Sequence, residues 1–303
     1  MNEPLSKFMK VGLVHFMAYP ATIKGEGPVE ETIKKLALDE YFHAIEITTI
    51  KDKDVRQRVK KILDTSHMTV AYGAQPRLLT TGLNINDLDE DGRQRALANL
   101  KEGIDEAFEM GASGFGFLSG KYDEATKEES YQALIRSTKE ICSYVKSKGN
   151  MKVALEVFDY DVDKKSLVGP ADIALRYAKE IREEHDHFGL MVDLSHIPLI
   201  HESIEESLLP VRDYIIHAHI GNCVIRSADM PGYGDLHPRF GFPNSENDVD
   251  EVVDYLRVLL QIEYLNDKKP PIVSFEIKPF GDEDPDIVIA NAKRTLNEAW
   301  ARV

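Results

Sequence analysis

Eight short apolar segments alternate with amphipathic segments along the whole 303-residue chain. The apolar segments are continuous rather than alternately polar, which is typical of parallel strands covered on both faces. The predicted strands are 10–16, 44–50, 69–75, 113–119, 152–159, 188–196, 214–222 and 271–279. The predicted helices are 30–40, 53–66, 93–111, 127–149, 169–185, 203–209, 248–265 (after Asn247 as N-cap) and 284–300.

This alternation favours a closed parallel barrel of eight β/α units. The main alternative, an open doubly wound sheet, normally carries a glycine-rich phosphate loop after its first strand. The segment after the first strand here, HFMAYPATIKGEG, has its glycines too late and lacks that fingerprint. No linker or low-complexity tract divides the chain, so we expect a single (β/α)8 TIM-barrel domain over residues 1–303.

Composition limits the classes of partner. The chain has 52 acidic and 37 basic residues, a net charge of −15, which opposes binding to nucleic acid or to anionic membranes. Two distant cysteines, Cys142 and Cys223, exclude a disulfide framework or a cysteine-rich zinc site. Because no segment has the apolar pattern of a signal peptide or membrane span, we expect a cytoplasmic location. The oligomeric state stays open, with a homo-oligomer among the options.

Each of the last four predicted strands carries a side chain that is costly to bury. In barrels of this class the chemistry lies at the C-terminal ends of the strands. The four side chains are those of Glu156, Asp193, His219 and Glu276. A separate arginine or backbone amide for each is one explanation, but a single cation satisfies all four together. Carboxylates with one imidazole suit Mn²⁺, Mg²⁺, Co²⁺ or Zn²⁺, so we predict one divalent metal ion.

Two further histidines accompany these candidates. His217 and His219 lie on the same side of their strand because Ala218 separates them. His219 is nearer the C-terminal rim and is therefore the candidate ligand, whereas His217 is interpreted as a core histidine. His196 follows Asp193 by three residues at the turn after the sixth strand, where we expect it to hydrogen-bond a substrate oxygen.

Candidate substrate-binding residues come from the earlier strands and from one long loop. His15 and Glu46 are polar residues in the first two strands, and Gln75 ends the third. The loop after the seventh strand is rich in glycine and proline, and loops of that length are usually functional or disordered. Its candidate substrate contacts are Arg226, Asp235, His237 and Arg239.

The pattern resembles the xylose isomerase-like TIM barrels, a superfamily of sugar and sugar-phosphate isomerases and epimerases. The resemblance covers essentially the whole chain. Its most specific elements are Glu156, Asp193-x-x-His196, His217-x-His219 and Glu276. In the ketose 3-epimerases of that superfamily, the corresponding Glu, Asp, His and Glu hold one Mn²⁺-like ion, the two glutamates form the acid/base pair, and the histidine of the D-x-x-H motif contacts substrate.

The resemblance therefore implies that Glu156, Asp193, His219 and Glu276 bind the metal, with Mn²⁺ preferred. It assigns catalysis to Glu156, Glu276 and His196, and makes Arg226 the nearest match to a substrate-binding arginine, at a spacing one residue longer. The implied activity is a metal-dependent isomerisation or epimerisation of a small keto sugar through a metal-stabilised enediolate.

Three alternatives remain from the sequence. A lyase acting on an oxidised sugar (a dehydratase, decarboxylase or keto-glycoside-cleaving enzyme) would use the same intermediate, and the unusual seventh loop keeps it open. A phosphodiesterase related to DNA-repair endonucleases would require more zinc ions and is opposed by the acidic charge. A non-enzymatic binding barrel is the third.

Overall fold

The structure is a computed structural model that describes residues 3–303. Its eight strands pair in parallel throughout one sheet. The strands are β1 (Lys10–Leu13), β2 (Ala44–Ile47), β3 (Thr69–Gly73), β4 (Gly114–Leu118), β5 (Lys152–Glu156), β6 (Phe188–Asp193), β7 (Ile215–Gly221) and β8 (Ile272–Glu276). Each strand lies within the segment predicted for it and ends before the predicted end.

The sheet curves round into a nearly closed barrel. Hydrogen-bonded neighbours follow chain order from β2 to β8, and β8 then pairs with β1. The remaining seam, between β1 and β2, contains a bridge between Val14 and Glu46. The amide of His43 also donates to the carbonyl of Val11 across it, over 2.8 Å. The predicted (β/α)8 TIM barrel is confirmed.

Helices surround the barrel and bury their apolar faces against it. For example, Leu97, Leu100 and Ile104 are fully buried on one helix, α5 (Glu90–Glu109). The other α-helices of the described chain are α1 (His15–Ala18), α2 (Val29–Ala37), α3 (Lys53–Ser66), α4 (Gln75–Leu79), α6 (Lys127–Lys148), α7 (Ala171–Arg182), α8 (His196–Leu199), α9 (Ile204–Leu208), α10 (Val249–Gln261) and α11 (Pro285–Arg302). Short 3₁₀ helices lie at Leu5–Lys7, Pro20–Thr22, Glu124–Thr126 and Arg212–Tyr214. None of the helices among residues 3–303 has both the length and the apolar character needed to cross a bilayer.

Three one-turn helices stand where the sequence predicted continued strand. α1, α4 and α8 begin at His15, Gln75 and His196, within three residues of the ends of β1, β3 and β6. Apolar residues continue through these turns, so an apolar run does not mark where the strand stops. Because a helix rotates each side chain by about 100° relative to the one before it, these three residues do not point where a strand would direct them.

One predicted helix cap is wrong. α10 is capped by Asp248, which forms a capping box with Glu251. Asn247 instead donates from its amide to the carbonyls of Leu194 and Gly221, 3.1 Å from each. It therefore connects the rim of the barrel to the loop after β7.

A buried ion pair fastens α4 and α5 to the loop after β2. The carboxylate of Glu106, with its side chain 5% exposed, lies 2.8 Å from the guanidinium of Arg77. The same carboxylate accepts hydrogen bonds from the backbone of Ile50 over 2.6 Å and from the hydroxyl of Thr49 over 3.0 Å. Removing one partner of such a pair leaves the other charge buried and uncompensated.

We expect Glu106→Ala to lower the free energy of unfolding by about 3–5 kcal/mol, because Arg77 is left without its counter-charge. Glu109→Ala, on the same helix, is the matched control. Its side chain is 47% exposed in an ion pair with Arg56, so the expected loss is below about 1 kcal/mol. Urea denaturation of both variants measures the difference, and equal losses would show that the Arg77–Glu106 pair contributes no special stability.

Candidate metal centre and active site

Four buried side chains converge at the C-terminal end of the barrel. Glu156, Asp193 and Glu276 are the last residues of β5, β6 and β8, and His219 lies on β7 between them, paired with Asp193 in register. All four are at most 8% exposed, and one ligand atom from each lies within 4.8 Å of the others. The Nδ1 atom of His219 is 2.8 Å from Oε2 of Glu276 and 3.3 Å from Oε1 of Glu156.

Each of these residues presents one atom that makes no hydrogen bond of acceptable geometry in the described part of the chain, although these atoms lie close to one another. The atoms are Oε1 of Glu156, Oδ2 of Asp193, Nδ1 of His219 and Oε2 of Glu276. Three carboxylate oxygens and one imidazole nitrogen form a donor set suited to Mn²⁺ and similar divalent ions. Since buried polar atoms rarely stay unpaired, the four residues fit a single metal ion.

The remaining atoms of the four residues are held by the protein. Oε2 of Glu156 accepts a hydrogen bond from the amide of Gln75 over 2.6 Å. Oδ1 of Asp193 accepts from the backbone of Ser195 over 2.6 Å. These contacts fix the orientation of both carboxylates before any ligand arrives, as expected of the groups that support metal ligands.

Glu46 on β2 orients the histidine of the cluster. Its Oε1 lies 3.0 Å from Nε2 of His219 and 2.6 Å from Nε2 of His217. A proton on Nε2 of His219 that is donated to Glu46 leaves Nδ1 free for the metal. Burial alone would raise the pKa of Glu46, but the two histidines hold it well below its usual value. His217 thus lies behind His219 as a buried supporting residue.

The electrostatics of the cluster favour a positive charge at its centre. Burial would lower the pKa of His219, yet the charge of Glu46 and the contacts with Glu156 and Glu276 raise it well above its usual value. Burial also raises the pKa of Asp193, and the nearby charge of Glu276 adds to that effect. A divalent cation at this point would supply the positive charge that a proton on His219 otherwise provides.

Asp235, in the loop after β7, joins three segments around the site. It is 5% exposed, and its Oδ1 lies 3.1 Å from Nε2 of His196 and 2.8 Å from Nε2 of His237. Its Oδ2 lies 2.8 Å from the ammonium of Lys164, in the loop after β5. Burial would raise the pKa of Asp235, but these three cationic partners hold it well below its usual value.

The two histidines bound to Asp235 differ in what they offer to a substrate. His196 also donates from Nδ1 to the carbonyl of Val157 over 2.7 Å, so both its ring nitrogens face acceptors of the protein. Nδ1 of His237 has no hydrogen-bond partner among residues 3–303, although it is buried. Burial lowers the pKa of both rings, but Asp235 outweighs it and raises the pKa of His196 to about 10 and of His237 to about 9.

A cavity of about 190 Å³ lies above the four-residue cluster. Its polar lining residues include Glu46, Gln75, Lys164, His219, Asp235, His237, Glu276 and Lys278. Its apolar lining residues are Val14, Phe16, Met17, Ile23, Pro76, Leu79, Phe158 and Leu236. Gln75 and His237, predicted as substrate contacts, therefore border this space. Lys164 and Lys278 do so as well, and neither was predicted as a site residue: Lys164 lies in the loop after β5, and Lys278 follows Glu276 in the segment predicted as the eighth strand.

Two predicted substrate-binding residues lie outside the lining of this cavity. His15 turns towards α2, where its Nε2 lies 2.7 Å from the hydroxyl of Thr32. Its placement follows from α1, which directs it away from the barrel axis. Arg226 is exposed, 3.5 Å from Glu246, because the chain after Val224 turns outward and returns to pair with it at residues 233 and 234. Neither residue therefore lines the cavity in this structure.

The family model described as xylose isomerase-like TIM barrel matches residues 36–265. No curated protein sequence matches the chain.

Solved structures of sugar epimerases share the fold. A D-psicose 3-epimerase from Clostridium cellulolyticum H10 is 18% identical, with 97% of this chain and 96% of that chain covered and a TM-score of 0.65. An L-ribulose 3-epimerase is 15% identical, with 97% and 96% covered and a TM-score of 0.70. The 3-keto-D-glucoside 4-epimerase of E. coli is 17% identical, with 97% and 99% covered and a TM-score of 0.63. At these identities the likeness concerns the fold.

We expect the protein to bind one Mn²⁺ per chain, and Asp193→Asn to weaken that binding by about 10-fold or more, because a ligand loses its charge. Equilibrium dialysis followed by elemental analysis measures both quantities. Asp64→Asn, which removes the same charge from an exposed side chain on α3, should bind metal normally. Two or three zinc ions per chain would contradict the single-ion site and support a hydrolase.

Asp235→Asn should lower the pKa of both His196 and His237. The negative charge of Asp235 stabilises the protonated rings, so its removal shifts both values from about 10 and about 9 down towards the ordinary range. NMR titration of the histidine ring signals of the Mg²⁺-loaded protein measures this. Asp161→Asn, which removes the same charge from an exposed side chain that pairs with His201, is the control. Unchanged titration in Asp235→Asn would show that Asp235 does not set the charge of these rings.

Proposed function

Since the chain belongs to the xylose isomerase-like TIM barrel family, we propose that it is a divalent-metal-dependent epimerase or isomerase of a small keto sugar. One observation carries the proposal: two buried glutamates, Glu156 and Glu276, face a common point where four ligand atoms lack partners. Sugar epimerases with the same fold, among them ketose 3-epimerases, support it. Mn²⁺ is the proposed metal, and a cytoplasmic location is proposed with it.

The two glutamates can act on opposite sides of a substrate carbon. They stand on β5 and β8, with Asp193 and His219 between them around the barrel. In an epimerisation, one carboxylate removes the proton beside the carbonyl and the other returns a proton to the opposite face. In an isomerisation, the proton returns to the neighbouring carbon. When bound, the metal would act as a Lewis acid that polarises the carbonyl.

Other side chains of the cavity position the sugar. Gln75 donates a hydrogen bond to one carboxylate oxygen of Glu156, and the other carboxylate oxygen of Glu156 is one of the four candidate ligand atoms. His237 offers an unpartnered Nδ1 for a substrate oxygen, and Lys278 borders the same space. His196 instead sets the position of Asp235 and, through it, of His237. We assign His196 as a positioning residue in the conformation described.

The cavity favours an uncharged sugar over a sugar phosphate. No arginine of the described chain lines it, and the ammonium of Lys164 is already paired with Asp163 at 3.0 Å and with Asp235 at 2.8 Å, which leaves Lys278 as the remaining lysine of the lining. A phosphate dianion would require more free positive charge than this. The cavity therefore offers a sugar both hydroxyl-binding groups and apolar contacts.

A lyase acting on an oxidised glycoside is the second candidate. The apolar wall formed by Phe16, Met17 and Phe158 suits a bulky aglycone. Removal of the acidic C–H proton by a glutamate would then break the bond to a leaving group beta to it, and the electron pair of that bond would leave with the group. His237, hydrogen-bonded to Asp235, lies where it can protonate the departing oxygen. A similar fold occurs in the E. coli 3-keto-D-glucoside 4-epimerase.

Glu156→Gln and Glu276→Gln should each reduce turnover by about 10²–10⁴-fold, because each removes one partner of the proton transfer. The assay follows deuterium incorporation from D₂O into a panel of ketoses and keto-glycosides, with both variants loaded with metal and their metal content verified. Glu283→Gln, which removes a carboxylate bound to Arg239 outside the cavity lining, is the control.

The product distinguishes the two candidates. A deuterated epimer or isomer supports the first, and an unsaturated or cleaved sugar supports the lyase. If the wild-type protein exchanges no substrate hydrogen across the panel, or if both glutamine variants keep full exchange, the proposed chemistry is wrong.

A further inference from the structure

A second cavity, of about 410 Å³, opens at the opposite, N-terminal end of the barrel. Barrels of this fold usually fill their interior with layers of large side chains. Here the wall of that half includes the small residues Ala71, Gly114, Gly116 and Ala154. Ala71 on β3 pairs with Gly114 on β4, and Gly116 on β4 pairs with Ala154 on β5. A Cβ at Gly116 would lie 2.7 Å from the terminal methyl group of Met191, so this flexible side chain would have to move to admit it. The small residues leave the axis of the barrel hollow.

The mouth of this cavity is positively charged. Lys10, Lys152 and Lys269 line it. The ammonium of Lys10, on β1, donates to the hydroxyl of Thr69 on β3 over 3.0 Å, so it bends over the interior of the barrel. Lys152 lies in register with Gly114 and shares its side of the sheet. Burial, together with the charges of Lys269 and Arg182, lowers the pKa of Lys152, as expected where like charges face one another.

The lining contains little negative charge to balance these lysines. Its one carboxylate is Glu46, and that group is already bound to His217 and His219. A concentration of lysines is unusual in a chain with a net charge of −15. Glu46 and His217 close the inner end, so the cavity lies directly behind the candidate metal centre without being part of it.

We propose that this N-terminal cavity is a binding site for a small organic oxyanion, bearing phosphate or carboxylate groups, held by Lys10, Lys152 and Lys269. A volume of about 410 Å³ lies in the range of metabolite-binding pockets. Lysine ammonium groups bind phosphate and carboxylate oxygens through charge-assisted hydrogen bonds. The site does not depend on the function proposed above, because none of the three lysines belongs to the cluster of metal ligands or the sugar cavity.

The test is isothermal titration of the metal-loaded protein with two probes, inorganic phosphate and succinate, at constant ionic strength set with KCl. Saturable binding of phosphate alone, succinate alone, or both supports the site and identifies the oxyanion that it prefers. Lys10→Met and Lys152→Met should each weaken binding by about 10-fold or more, the loss of one charge-assisted hydrogen bond. Lys146→Met, at an exposed position on α6, should leave it unchanged.

Gly114→Leu tests the cavity without removing charge. A Cβ at Gly114 meets nothing within 4 Å, so the larger side chain enters open space and the fold should be retained, as circular dichroism and thermal unfolding would show. We expect this variant to lose phosphate and succinate binding while it keeps its metal affinity. Absence of saturable binding to the wild-type protein would overturn the proposal. Binding to Gly114→Leu and to the two lysine variants with the same affinity as to the wild-type protein would overturn it as well.

Discussion

Burial of negative charge at one end of the barrel is the constraint on which the rest of the structure depends. An ionised carboxylate inside a protein costs several kcal/mol unless other groups compensate it. Glu46 is compensated by two histidines, and Asp235 by two histidines and Lys164. The remaining carboxylates, of Glu156, Asp193 and Glu276, share the imidazole of His219, and each has one further histidine, His196 or His237, only at 3.7–4.0 Å. The uncompensated charge is therefore concentrated at a single point, which is where a cation is most strongly favoured.

The parallel barrel produces this arrangement from ordinary strand geometry. Neighbouring parallel strands place their C-terminal residues at the same rim, so one costly residue on each of four consecutive strands becomes one cluster. The loops after β5 and β7 then complete the polar side of the cavity, joined by the ion pair of Lys164 with Asp235. The two parts of the site are thus positioned in different ways. Strand register positions the candidate metal ligands, whereas contact between two loops positions the polar groups beside them.

This difference between strand residues and loop contacts explains which features of the site could be predicted from the sequence. Glu156, Asp193, His219 and Glu276 were predictable because a polar residue in an apolar strand demands a partner whatever the surrounding loops do. His15 was not, because α1 begins two residues after β1 and changes the direction of its side chain. The position of Arg226 depends on the return of the seventh loop to pair with Val224 at residues 233 and 234, and the pairing of Lys164 with Asp235 joins residues far apart in the chain. Such contacts follow from tertiary structure and leave no local pattern.

The same division bears on which reaction the protein performs. Two carboxylates beside a candidate metal site suit removal of a proton from a carbon next to a carbonyl that the metal would polarise, and this step is common to epimerases, isomerases and lyases. What differs is the fate of the electron pair, which returns to carbon in the first two and leaves with a substituent in the third. That fate depends on whether an acid faces the substituent, and in the lyase proposal this acid is His237, held by Asp235 in the loop after β7. The proposal therefore assigns proton removal to strand residues and the choice of product to the seventh loop.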